Sequence, residues 1–199
     1  MVKITIRNIR RNDIPIGMVV YGMIWPPSFL ESHIRIFPEG QFCAELDDEI
    51  VASASSLIVS LKPEYKNHRW YEITGYGMFT NHNPKGDSLY GADISTHPKV
   101  RRQGIATMLY NARKDLAVKL NLRRIISGGR LYYYYKYAEK ISALAYAKKV
   151  IGGEIKDPVL SFQLKNGFRF IKILPDYLYD TSSLNYASLL EWLNPKYRQ

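Results

Sequence analysis

The chain has 199 residues, 46% of them hydrophobic, which suits one domain with a substantial core, so we expect a single domain over residues 1–199. Its single cysteine, Cys43, excludes an internal disulfide, and the lack of a leader-like start or an apolar run of about 18 residues predicts a cytoplasmic protein without a membrane span. The net charge of +10 is concentrated in residues 97–149, and it suits a polyanionic small molecule, a nucleic acid or an acidic protein.

Three short elements are predicted before the main sheet. Residues 2–9 alternate apolar and polar side chains, which is the period of a half-buried strand. Asn12 or Asp13 is a candidate cap for a helix over 18–23, and Ser28 is a candidate cap for a second helix.

The middle of the chain predicts a hairpin and a central strand. Residues 41–46 and 50–61 are apolar or β-branched, and the acidic residues 47–49 between them suit a turn. Residues 62–87 are polar and rich in turn formers, so we expect an excursion there before a strand over 88–96.

A long helix is predicted over residues 104–120, because Ile105, Met108, Leu109, Ala112 and Leu116 recur at helical spacing. Beyond this helix we predict a strand over 123–127, which Gly128 and Gly129 end with a sharp turn. An inserted segment over 130–156 follows and contains a helix at 138–151. The last predicted elements are a helix over 157–166, capped by Asp157, and strands over 168–174 and 186–192.

The junction between the central strand and the long helix is the most informative stretch of the sequence. Pro98 breaks the strand, and the amides of residues 102–106 lie where a helix leaves its first N–H groups unpaired. Those amides and the helix dipole form an anion site, and Gly104 and Ala106 have little bulk to keep a ligand away. The pattern predicts a phosphate-binding turn.

The pattern Arg101-x-x-Gly104-x-Ala106, preceded by Pro98, resembles the pyrophosphate loop of the GNAT family of N-acetyltransferases. Phe162-x-x-x-Asn166-Gly167-Phe168 resembles a helix end of the same family. The resemblance implies an α/β (α+β) fold with a mixed sheet of about seven strands, acetyl-CoA as the co-substrate, and no metal. The residues that it assigns to the cofactor are Ile94, Ser95 and Thr96 for the pantetheine arm and Arg101, Arg102, Gln103, Gly104, Ile105, Ala106 and Thr107 for the phosphates.

Several longer sequence segments, including residues 70–74, 81–84 and 89–93, are similar to a bacterial GNAT subgroup that is often fused to a nitrilase-like amidohydrolase domain. Two departures from the family pattern stand out. Gln163 occupies the position where the family commonly has a tyrosine that protonates the leaving thiolate, and an amide cannot do this. Lys156 and Val159 replace the usual Asn and Ala at the start of the same helix.

Acyl transfer to an amine requires a base and a proton donor for the thiolate. Asp93 and Glu72 are candidate bases, because each is a lone carboxylate in an apolar or aromatic, strand-like segment; a paired or surface carboxylate is the alternative. The candidate acid is a tyrosine of the run at 132–135, for which we name Tyr133, or water.

Other residues have simpler interpretations. His82 and His97 are further candidate proton acceptors, but His97 beside Pro98 is predicted to stabilise the turn. The four histidines and one cysteine show no metal-ligand spacing. The tyrosine run suits a lid over the acceptor groove, or alternatively a surface that stacks nucleic-acid bases.

The sequence therefore predicts an N-acetyltransferase that acts on a primary amine of a small molecule or a peptide. The alternatives are an acyl-CoA-binding module without chemistry, which Gln163 favours, and a basic nucleic-acid-binding protein. A homodimer is expected if the last strands, with Leu189, Leu190 and Trp192, leave an apolar edge.

Overall fold

A seven-stranded sheet organises the protein, whose computed structural model describes residues 4–14 and 26–199. The strands are β1 (Ile4–Asn8), β2 (Gln41–Leu46), β3 (Glu49–Val59), β4 (Ser88–Thr96), β5 (Arg124–Arg130), β6 (Arg169–Leu174) and β7 (Ala187–Leu193). Their order across the sheet is β1-β2-β3-β4-β5-β7-β6. Only the pair β4 and β5 is parallel, so the predicted mixed sheet is confirmed.

Five helices lie on the two faces of this sheet in the described ranges. They are α1 (Pro27–Ile36), α2 (Trp70–Thr74), α3 (Ile105–Lys119), α4 (Ala143–Ile151) and α5 (Leu160–Lys165). The longest of them, α3, has 15 residues, and no helix in the described part of the chain combines the length and apolarity that crossing a membrane requires.

Alternation along the strands divides the hydrophobic core in two. Leu89 of β4 points into the larger core, where α3, α4 and α5 pack, and Tyr90 points into the core that α2 shares. A third, smaller cluster joins Leu30 of α1 to Cys43 of β2. Burial raises the pKa of the Cys43 thiol to about 11, so this cysteine is an inert core residue.

Several predicted elements are confirmed. Strand β4 has the predicted bounds, and α3 differs from its prediction by one residue at each end. The acidic turn between β2 and β3 also forms, with Asp47 and Asp48 in the left-handed region at φ 48° and 64°, as a tight hairpin turn requires. The helix predicted over 18–23 lies outside the described residues.

Other predictions are wrong. Gly128 and Gly129 do not end β5, because β7 continues to pair with both. Strand β7 lies between β5 and β6, and Leu189 and Leu190 are fully buried, so it offers no apolar edge for a dimer. Helix α4 begins only at Ala143, and α1 begins at Pro27, with Pro26 rather than Ser28 at its cap.

Candidate functional site

The sheet opens between its two parallel strands. β4 pairs with β5 only from Ser88 to Tyr90. Beyond Tyr90, β4 remains paired with β3 as far as Thr96, whereas β5 remains paired with β7 as far as Arg130. The strands diverge and form a wedge, which we call the β4–β5 cleft; its walls are residues 91–96 and 127–130.

A β-bulge shapes the β4 wall of this cleft. The register with β3 passes from Gly91 opposite Ser56 to Asp93 opposite Ser55, so Ala92 is the extra residue. A bulge leaves backbone groups without ladder partners, and here the carbonyl of Ala92 accepts a hydrogen bond of 2.9 Å from Trp70 Nε1. The bend in β4 is thus fixed from the α2 side.

Arg113 of α3 fixes the same bulge from the opposite face. Its Nη2 donates to the carbonyl of Ser55 at 2.8 Å and to that of Asp93, and its Nε donates to Ser56 Oγ at 3.0 Å. The side chain is buried, and desolvation lowers its pKa. This role of Arg113 was not predicted from the sequence, although the residue stands four positions after Leu109 and three before Leu116, on the apolar face of the helix.

The β5 wall depends on Gln163, the residue that departs from the family pattern. Its Nε2 donates to Ser127 Oγ at 3.1 Å, and its Oε1 lies so close to Gly129 that any Cβ there would overlap it. The buried amide therefore holds β5 beyond the point where β4 leaves it. This is a structural role that a hydrogen-bonding amide performs well.

The predicted phosphate turn lies at the open end of the cleft. Arg102 and Gly104 take left-handed φ values of 65° and 83°. The first turn of α3 closes with Met108 N donating to Gly104 O at 3.1 Å, so the amides from Gly104 to Thr107 precede the intrahelical donors. Residues 101–104 are exposed, and a Cβ on Gly104 would have no atom within 4 Å. An anion can reach these amides.

Two histidines near the site have structural partners. His97 Nδ1 accepts a hydrogen bond of 3.3 Å from Lys99 N, which confirms the predicted turn-stabilising role. His82 Nδ1 accepts one of 3.1 Å from Ile58 N, and its ring stacks on Phe37. Burial lowers the pKa of His82, so it is neutral at pH 7.

The two candidate bases lie in different surroundings. Asp93 is 6% exposed, and it pairs with Ser55 next to the bulge. It therefore lies on the β4 wall of the cleft, and its carboxylate acts on the pKa of both Arg113 and Tyr110 of α3. Glu72 is not in a strand-like segment: it is exposed on α2, where its Oε2 accepts a hydrogen bond of 3.0 Å from Arg69 N.

The four consecutive tyrosines point in different directions. Tyr134 is a core residue, 6% exposed, whose hydroxyl donates to Ile141 O at 3.2 Å, whereas Tyr135 is 50% exposed. Tyr133 is partly buried, with its amide bonded to Asp157 Oδ2 and Lys136 Nζ 4.4 Å from its ring centroid. Only part of the run is free to line an acceptor groove.

Known proteins resemble the chain along nearly its whole length. A sequence model of the acetyltransferase (GNAT) family matches residues 5–131. The Bacillus subtilis proteins YkwB, named as an uncharacterized N-acetyltransferase, and YhcX, named as a probable hydrolase, are 40% and 48% identical to the chain and each match 98% of it. The chain spans 91% of YkwB but 39% of YhcX, which is much longer.

Two solved structures share the fold. The loading GNATL domain of CurA from Lyngbya majuscula superposes with a TM-score of 0.82 at 18% identity, covering 96% of this chain and 98% of that one. The GphF GNAT-like decarboxylase, solved with isobutyryl-CoA, gives 0.76 at 17% identity, covering 96% and 99%. With the family match, the 40% identity to nearly all of YkwB and the cleft described above, the chain belongs to the GNAT family of acetyltransferases.

Proposed function

We propose that the protein transfers an acetyl group from acetyl-CoA to a primary amine. The observation that carries the proposal is the β4–β5 cleft, which runs from a buried apex to an exposed helix N-terminus. The diphosphate binds the amides of residues 102–107, and the open space before Gly104 leaves room for it. The exposed Lys99, Arg101 and Arg102 add positive charge for the remaining phosphate.

The pantetheine arm then follows the free edge of β4. Beyond Tyr90 this edge has no strand partner in the described part of the chain, so those backbone groups among Ile94, Ser95 and Thr96 that point away from β3 face an extended ligand. The carbonyl of Thr96 also accepts a hydrogen bond of 3.3 Å from Arg101 Nε. From Thr96 back to Tyr90 the strand rises about 20 Å, the reach of an extended pantetheine arm. The thioester is thereby delivered to the apex of the cleft, beside the bulge.

Asp93 is the carboxylate that meets the thioester there. A buried negative charge attracts the ammonium form of the acceptor and lies where the attacking nitrogen approaches. Glu72 is exposed on α2 and is the weaker of the two candidates. Tyr133 stays the candidate acid of the tyrosine run, although its position on a surface turn makes water an equal donor.

The experiment is thiol release from acetyl-CoA with a panel of primary amines: spermidine, tyramine, kanamycin and a peptide with a free N-terminus. Release that depends on one of these amines supports the proposal. Binding without release would favour an acyl-CoA-binding module. Carbon dioxide release from malonyl-CoA would instead favour the decarboxylase activity for which GphF is named. Failure to bind any acyl-CoA, with salt-sensitive binding of RNA or DNA, would favour the nucleic-acid alternative.

Replacing Asp93 with asparagine should lower kcat/KM for the amine at least about 10-fold, because the ammonium loses its buried counter-charge while the shape of the side chain is kept. The affinity for acetyl-CoA, measured by calorimetry, should stay within about twofold. Glu72→Gln is the matched control and should leave both quantities unchanged. Equal losses in the two variants would remove Asp93 from the site.

A further inference from the structure

Three titratable side chains form a hydrogen-bonded row on the α2 side of the sheet. The hydroxyls of Tyr177 and Tyr90 are 2.8 Å apart, and the Tyr90 hydroxyl is 2.9 Å from His68 Nε2. His68 Nδ1 lies 2.9 Å from the carbonyl oxygen of Lys66. Both tyrosines are buried, at 3% and 0% exposure, and His68 is half-buried.

The row begins where the cleft closes. Tyr90 is the last residue of β4 that pairs with β5. The ring of Tyr177 packs on Gly128 of the opposite wall so closely that a Cβ at Gly128 would overlap it. The amide of Trp70 donates to the carbonyl of Tyr177 at 2.8 Å, which fixes the backbone that carries this ring. The Tyr177 hydroxyl is thus held at the apex.

The contact between His68 and the Lys66 carbonyl determines which group donates in every hydrogen bond of the row. A carbonyl oxygen only accepts, so His68 Nδ1 must carry the hydrogen, and Nε2 of the neutral ring is then an acceptor. Tyr90 must therefore donate to His68, and Tyr177 must donate to Tyr90. The oxygen of Tyr177 also accepts from the backbone amide of Gly128, which leaves one lone pair to receive a proton, and the whole row points away from the cleft.

We propose that Tyr177, Tyr90 and His68 form a relay that removes the proton from the acceptor amine, an inference that rests on the proposed acetyl transfer. As the amine nitrogen bonds to the thioester carbon, its N–H bond breaks and that proton goes to the Tyr177 oxygen. The Tyr177 proton moves to Tyr90, and the Tyr90 proton to His68 Nε2. The resulting imidazolium releases a proton to solvent, and the electrons of the broken C–S bond leave with the sulfur. Asp93 attracts the ammonium form, which loses one proton to solvent before the nitrogen attacks, and the relay removes the second proton as the C–N bond forms.

The surroundings of the row suit this task. Burial lowers the pKa of His68, while the Lys66 carbonyl and Glu72 of α2 raise it and Lys172 of β6 lowers it, with a net decrease. The imidazole is therefore neutral at pH 7 and ready to accept. Burial raises the pKa of both tyrosines, which keeps their hydroxyls protonated as a relay requires. Turnover that depends on neutral His68 should fall as the pH drops through its pKa, below 6.5.

The kinetic test uses the amine that turns over fastest in the panel, at saturating acetyl-CoA. We expect Tyr177→Phe and His68→Gln each to lower kcat about 100-fold, the usual size of general-base catalysis. The double variant should lose no more than either single one, since one broken link stops the relay. The kcat of wild type should also decrease below pH 6.5, and His68→Gln should not show this decrease. Ionisation of the amine affects both proteins alike, so it does not cause a difference between their pH profiles.

Tyr146→Phe is the matched control, because Tyr146 of α4 is another buried tyrosine whose hydroxyl is bonded to a side chain, that of Asp157, at 2.8 Å. Its kcat should stay within twofold of wild type. Nitrogen-15 NMR of the full chain, with the His68 signals assigned by their loss in His68→Gln, should show the Nδ1–H form.

An Nε2–H form, or wild-type kcat in His68→Gln or Tyr177→Phe, would overturn the relay while leaving acetyl transfer standing. A wild-type protein that releases no thiol with any amine would instead refute the proposed function, and the relay with it.

Discussion

The Gly104→Val variant should bind acetyl-CoA at least about 100-fold more weakly than wild type, a loss of about 2.7 kcal/mol. Gly104 has φ 83°, a conformation that a β-branched residue does not adopt without strain. The valine side chain would also occupy the space in front of the amides of the phosphate turn, where a Cβ on Gly104 would have no protein atom within 4 Å. Hydrogen bonds to charged groups contribute about 1.5–3 kcal/mol each, so displacing two of them accounts for the loss. Isothermal calorimetry measures it.

The chain supplies a closely matched control for this substitution. Gly153 follows α4 with φ 81°, and a Cβ there would likewise meet no atom within 4 Å. Gly153→Val should therefore cause similar backbone strain, of about 1–2 kcal/mol, and a similar decrease in Tm. Its affinity for acetyl-CoA should equal that of wild type. If Gly104→Val also bound normally, the phosphates would not lie on this turn and the proposed function would lose its principal support.

The features that sequence reasoning predicted well are those that local chemistry determines. Strand β4, the break at Pro98 and the amphipathic α3 follow one another along the chain, and each depends on neighbouring residues. The turn between β4 and α3 was therefore predictable from the sequence, whereas its binding of phosphate stays a prediction. The segment around Glu72 was not, because its aromatic and β-branched residues favour a strand while the bond from Arg69 N to Glu72 starts a short helix.

The apex of the cleft could not be predicted, because residues far apart in the chain build it. Arg113, Gln163 and Tyr177 meet β4 and β5 from α3, α5 and the β6–β7 connection. Their roles depend on the register in which Ala92 bulges, and alternation along one strand does not reveal a bulge. Arg113 alone carried a usable signal, a cation on the apolar face of an amphipathic helix.

The closed end of the cleft depends on another non-local group, a buried ion-pair network around Arg124 of β5. Its Nε donates to Ser88 Oγ of β4 at 2.8 Å, and its Nη1 bonds to Glu191 of β7 at 3.0 Å and to Glu64 at 2.7 Å. Arg124 and Glu191 are 1% and 0% exposed. The network therefore joins β4 to β5 at the first of the three residue pairs along which these strands are in contact.

Glu191→Gln should consequently reduce the free energy of unfolding at pH 7 by about 3 kcal/mol, because removing one partner of a buried pair leaves the charge of Arg124 poorly compensated. Tyr65 and Arg169 also bond to Glu191 and would lose a charged acceptor. Urea denaturation followed by circular dichroism measures the change.

Glu64→Gln is the control for the closed-end network, since Glu64 contacts the same guanidinium but is 45% exposed, and it should cost no more than about 1 kcal/mol.

The effect of Glu191→Gln on stability should also depend on pH. Burial raises the pKa of Glu191, but hydrogen bonds from Tyr65, Arg169 and Arg124 outweigh it, and the pKa lies below its ordinary value of 4.5. A depressed folded-state pKa adds stability above about pH 4.5 that is lost as the pH falls through the folded value. The stability gap between wild type and Glu191→Gln should therefore narrow in acid, and a gap independent of pH would mean that packing, and not charge, holds the closed end.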